Sequence, residues 1–116
     1  MTRYLISFDD GAMTFPEEDF ADVARAALAV VREAEEAGVW VFGAGLEPQR
    51  ATIVATDGMV TDGPYPETKE VIGGFAVVDV PSRDEAVKWA AKIAAACRCA
   101  QEVRELLPDG GASGEA

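Results

Sequence analysis

"VIGGFAVVDVPSRDEAVKWAAKIAAA", residues 71–96, reads as a strand, a stop and a helix in immediate succession. The strand runs to about residue 80 and ends at Pro81-Ser82, because proline cannot donate to a ladder and serine suits the start of a helix. Ser82 and Glu85 have capping-box spacing, and Ala86, Trp89, Ala90 and Ile93 fall on one helical stripe. Within the strand, Gly73-Gly74 lowers stability and signals a bulge or a close approach, to a ligand or, as favoured here, to a partner subunit.

Outward from this unit the chain supplies matching elements. Residues 3–8, "RYLISF", form a first strand with Tyr4, Ile6 and Phe8 on one face. A helix over about 16–37 carries an apolar stripe of Phe20, Val23, Ala27, Val30 and Ala34. Thr14 and Glu17 have capping-box spacing at its start, and Gly38 is a natural stop. "VWVFGAGL", 39–46, places Val39 and Val41 on one face and Trp40 and Phe42 on the other, so both faces need cover. "ATIVATDGMVTDG", 51–63, is a hairpin around Asp57-Gly58. A last strand is expected at 100–106. Residues 1–107 make one domain, and 108–116 a polar, flexible tail.

The order β-α-β-β-(β)-α-β is a split βαβ pattern: an α+β, ferredoxin-like βαββαβ layout with one added hairpin strand. Its sheet is antiparallel, with both helices on one face. The opposite face should be polar, yet Trp40, Phe42, Phe75 and Val77 cannot all lie beneath two helices. A second copy is the simplest cover, so the expected assembly is a homodimer with sheets packed face to face.

Charge excludes some functions. The chain has 10 Lys and Arg against 21 Asp and Glu, a net charge of −11. Nucleic-acid and anionic-membrane binding both start from excess positive charge, so neither partner is expected. The start lacks a signal-peptide pattern and no apolar run can span a bilayer, which makes a cytoplasmic location the default. With no His and only Cys97 and Cys99, a zinc site is not expected. The thiols read as buried or half-buried, with a minor redox option if Arg98 lowers a thiol pKa. Walker and dinucleotide fingerprints are absent, and no cofactor is implied.

The segment between the hairpin and the strand at 71–80, "DGPYPETKE", is followed by "IGGF". Together they resemble the signature of the YCII-related family in its DGPF-domain branch, with Tyr65 where the name-giving Phe usually stands. "GVWVFGAGLEP", "ATIVATDGMVTDGP", "EAVKWAAKIAAA" and "QEVREL" follow in the expected order, so the resemblance covers about residues 4–107. It implies a dimeric α+β barrel of ferredoxin-like subunits. Some members resemble lyases that remove HCl from chlorinated aromatics with a His and an Asp, and the DGPF branch is associated with stress-responding sigma factors. Without His, that mechanism does not transfer. Cys97-Arg98-Cys99 also stands where related chains more often have a Gly-containing turn.

The candidate site residues cluster on the signature. Asp62 is either a turn former that accepts backbone N–H bonds or a general acid–base group at a pocket mouth. Gly63 supplies unusual backbone angles, limited by Pro64. Tyr65, held between two prolines, either anchors the arm or offers its hydroxyl to a ligand. Lys69 either pairs with Glu67 or Glu70 or binds a substrate carboxylate. Arg104 on the last strand needs a carboxylate, with Asp62 or Glu70 as options within one subunit or across a dimer. The reading is a small-molecule pocket served by a cofactor-independent lyase or isomerase acting on a small organic acid or aromatic. Asp62 is the acid–base group, and Tyr65, Lys69, Glu70 and Arg104 bind substrate. The alternative is a non-catalytic binding or regulatory module linked to stress transcription.

Overall fold

Alternating apolar residues build the first strand, β1 (Thr2–Asp9), in which Tyr4 and Ile6 are buried. The computed structural model describes residues 1–47, 51–63 and 72–108. A 3₁₀ turn at Glu17–Asp19 leads into α1 (Phe20–Glu36), followed by β2 (Trp40–Gly45). Next come β3 (Thr52–Val54), β4 (Val60–Asp62) and β5 (Ile72–Val80). Helix α2 (Arg83–Cys97) and β6 (Glu102–Glu105) complete the chain. The main sheet is antiparallel in the order β2-β5-β1-β6, the ferredoxin-like arrangement expected from the element order. No helix among the described residues is long and apolar enough to cross a membrane.

Both helices cover one face. Tyr4 and Ile6 of β1 and Ala76, Val78 and Val80 of β5 pack against Ala86 and Ala90 of α2. Ile6 is fully buried, a contribution of about 1.5–3 kcal/mol by transfer from water. From α1, Val23 and Ala34 are buried, whereas Phe20 at the start of the expected stripe is 56% exposed.

Three expectations need correction. Among the described residues the hairpin adds no strand to the main sheet, and β3 and β4 pair with each other. The Thr14–Glu17 box does not form, because the 3₁₀ turn intervenes and α1 starts at Phe20 without a side-chain cap. In β2 the alternation breaks at a bulge: Trp40 pairs with Val78, but Phe42 pairs with Val77, leaving Val41 as the extra residue. Trp40 therefore faces the helices, while Val41 and Phe42 both reach the open face beside Val77 and Phe75.

The helix ends show how the two helices are tied. At α1, Gly38 (φ 76°) closes a Schellman motif, with Val39 N–H donating to the Ala34 carbonyl at 3.0 Å and Gly38 N–H to that of Glu35 at 3.0 Å. The Ser82 cap forms as expected, its Oγ accepting from Glu85 N–H at 3.3 Å. At the end of α2, Arg98 occupies the left-handed region (φ 60°), the sole non-glycine with positive φ among the described residues. Its N–H donates to Ala94, and Cys99 N–H donates to the same carbonyl at 3.2 Å. The Arg98 guanidinium then reaches Asp19, at the start of α1, at 2.8 Å. Lys92 of α2 pairs with Glu33 of α1 as a second tie.

A left-handed non-glycine residue costs about 1–2 kcal/mol. Arg98→Gly and Arg98→Ala both remove the ion pair, but only the glycine relieves the backbone. The glycine variant should therefore be more stable than the alanine variant by about 1 kcal/mol in urea unfolding.

Candidate functional site

Small residues on facing elements leave a gap between the helices and one end of the sheet. Gly43 and Gly45 of β2 pair with Ala76 and Gly74 of β5, so this part of the sheet has little side-chain volume. Across from it stand Ala27 of α1 and Ala96 of α2. The result is a cavity of about 470 Å³, within the size range of small-molecule sites. Trp40, Phe8, Ile6 and Ile93 give it an apolar wall. Cys97, Gln101 and Trp40, the last through its indole N–H, are the side chains with hydrogen-bonding groups in its described lining.

Each glycine has its own reason. A Cβ at Gly43 would meet the Trp40 ring at 2.7 Å and the Phe75 carbonyl at 2.8 Å, so glycine lets the indole lie across the strand. At Gly74 it would meet the Phe8 ring at 2.5 Å, and at Gly73 the Asp10 backbone at 2.7 Å. The close approach expected at Gly73-Gly74 is thus made by the chain's own first strand and its exit, beside a β1 irregularity at Phe8–Asp9. At Gly45 a Cβ would meet nothing within 4 Å, so that position opens on free space.

The thiols behave opposite to the redox option. Burial pushes the Cys97 pKa up, and neighbouring Cys99 adds to the rise. Burial also raises Cys99, offset in part by a hydrogen bond from Gln101 Nε2 at 3.5 Å. Arg98 does not activate them, since its charge is engaged by Asp19. Cys97 at the cavity wall is therefore a neutral thiol, a weak donor on an apolar surface. Both cysteines are free.

The sequence-based candidates lie elsewhere. Asp62 is exposed at the end of β4, paired in register with Thr52, and is not in the cavity lining. Gly63 does not have positive φ. Its role is proximity, since a Cβ there would meet Ile53 at 2.9 Å. Its N–H donates to the Ala51 carbonyl at 2.9 Å. Arg104 is exposed on β6, opposite Leu5, and forms no ion pair with Asp62 within the chain. Pro64, Tyr65, Lys69 and Glu70 lie outside the described residues, as does the tail beyond residue 108. Among the described residues no group of three or more His, Cys, Asp or Glu could hold a metal ion. Missed from sequence were Gly45, Cys97 and Gln101 as cavity residues. The usable signal was small residues on two strands facing alanines on two helices.

The chain is similar to known proteins in sequence and in fold. An uncharacterized protein of Rhizobium meliloti (strain 1021) is 34% identical over 96 residues, spanning 78% of this chain and 77% of its own. Among solved structures, the chain is similar to 5-chloro-2-hydroxyhydroquinone dehydrochlorinase (TftG) from Burkholderia phenoliruptrix AC1100, in complex with 2,5-dihydroxybenzoquinone. That match has a TM-score of 0.52 at 16% identity and covers 90% of this chain and 93% of the other, a likeness of fold. The model of the YCII-related domain matches residues 3–108, and the chain belongs to the YCII-related family.

Proposed function

We propose that the helix–sheet cavity binds a small, flat, largely uncharged organic molecule. The protein would act on it without a cofactor, as a lyase or isomerase. The observation that carries this reading is the lining: aromatic and aliphatic walls, an indole, one neutral thiol, one amide, and no charged side chain among the described lining residues. A bound carboxylate would be desolvated there without a cation to meet it, at a cost of several kcal/mol. This moves the ligand class from organic acids towards neutral ring compounds. The fold neighbour is bound to 2,5-dihydroxybenzoquinone, also a small flat ring, which supports the shape of the ligand.

The Asp62-Gly63-Pro64 stretch resembles the DGPF signature and makes Asp62 the acid–base candidate for turnover, although its carboxylate lies outside the described cavity lining of its own subunit. A second reading, binding or regulation without turnover, is favoured by the absence of any carboxylate from the described lining. Ligand binding and turnover separate the two. A thermal-shift screen pairing hydroquinones and benzoquinones with benzoates should show stabilisation by the neutral rings alone. Gly45→Val, at a position with space for a side chain, should keep the unfolding midpoint and weaken that binding at least about tenfold. Asp62→Asn should leave binding unchanged and lower turnover at least about 100-fold. Equal turnover in the Asn variant would remove Asp62 from the chemistry.

The working unit in this proposal is a homodimer joined through the sheet face opposite the helices. Phe42 is 58% exposed there, with its ring centroid 5.9 Å from that of Phe75, and Val41 is 38% exposed. Leu5 and Val77 continue the patch. A contiguous apolar surface of this kind calls for cover. Sedimentation at micromolar concentration should give twice the chain mass for the wild type and the single chain mass for Phe42→Glu. A wild-type monomer would end the dimer reading.

A further inference from the structure

Among the described elements the hairpin of β3 and β4 has no support from its own subunit. It makes no contact with any other described strand or helix. Its internal chemistry is complete: Ala55 and Gly58 close the turn at 2.9 Å, Gly58 has φ 87°, and Asp57 Oδ1 accepts from Met59 N–H at 2.9 Å. Turn chemistry sets its register but does not hold it, because an isolated two-stranded hairpin is marginal in water.

Its side chains are those of a buried surface. Val54 and Val60 are directly opposite, so they share a face, and they are 66% and 60% exposed. Met59 beside them is 62% exposed. Thr52 and Asp62 flank the valines on that same face. Asp62 has no carboxylate-to-cation pair among the described residues, and neither has Arg104.

We propose that this hairpin is an intersubunit arm whose Val54–Val60 face packs on a second copy of the chain. Two features select that occupant. Each subunit carries both an uncovered apolar sheet face, around Phe42, and an uncovered apolar hairpin, so a two-fold pair can bury both at once. Charge also matches in trans: Asp62 on the hairpin is acidic, and Arg104, without an ion pair among the described residues, is a cation on the open side of the sheet, opposite Leu5. The arm would thereby carry the Asp62-Gly63 signature towards the partner subunit.

This inference rests on the sheet-face dimer, and the test keeps the two apart. Three full-length chains are compared: wild type, Phe42→Glu, and Val54→Lys with Val60→Glu. The last keeps the net charge and pairs opposite charges across the strands, so the hairpin itself can persist. In sedimentation the hairpin variant should show a dimer dissociation constant raised at least about tenfold. In amide exchange the hairpin of the wild-type dimer should be protected, while in monomeric Phe42→Glu it exchanges freely and β1 and β5 stay protected. A wild-type dimer whose affinity ignores the hairpin variant would overturn the arm alone. Equal hairpin protection in monomer and dimer would overturn it too, showing that the hairpin is held by its own subunit or by another ligand. A wild-type monomer would overturn both readings.

Discussion

The bulge in β2 sets up most of what matters in this molecule. One extra residue, Val41, separates the pairing of Trp40 with Val78 from that of Phe42 with Val77. A bulge breaks the two-residue alternation, so neighbouring aromatics are sent to opposite sides of the sheet for different purposes. Trp40 turns to the helices, lies across Gly43 and becomes a cavity wall. Phe42 turns to the open side, meets Phe75 and makes that side apolar. Without the bulge, the indole and the phenyl ring would share a face, and the sheet would have either a filled cavity or a polar back. The site and the exposed face are thus two products of one irregular residue.

Element order was legible from sequence because each segment carried its own stop. Pro81-Ser82 ended β5, Gly38 ended α1, and Asp57-Gly58 made the hairpin turn, all as local backbone chemistry requires. What sequence patterning missed was phase and partnership. "VWVF" reads as strict alternation, because nothing local announces a bulge. The hairpin was read as an added strand because strand chemistry does not say which edge, if any, a strand joins. Gly63 and Gly73 were read through backbone angles or outside partners, but their neighbours are Ile53 and Asp10 of the same chain. Those contacts depend on chain folding, which periodicity does not encode.

The candidate site was less legible for a related reason. Sequence reading looks for chemically active groups, and it found them on the signature at Asp62 and beyond. The cavity is made by groups that are missing: the side chain absent from Gly45 and short ones at Ala27, Ala76 and Ala96, while Gly43 and Gly74 admit the Trp40 and Phe8 rings that wall it. Absence of volume acquires meaning only once the facing positions are known. The charge pattern misled in the same direction. Lys69 and Arg104 suggested an anionic ligand, whereas the described lining has no cation to hold one.

Strain at the end of α2 belongs to the same site. Cys97 and Gln101 both line the cavity, and Arg98 in the left-handed region sits between them. The turn at Arg98 reverses the chain after Cys97, and Gln101 follows within three residues, bonded to the Cys99 carbonyl at 3.3 Å and to its sulfur. Glycine would hold that turn without steric cost, but it has no side chain to reach Asp19. Arginine accepts the backbone cost and ties the polar rim of the cavity to the first turn of α1. A partly exposed ion pair contributes at most about 1 kcal/mol, so it does not recover the strain in full. What it adds is position: the rim residues are fixed relative to both helices, which is what a pocket needs if one amide and one thiol are to orient a ligand.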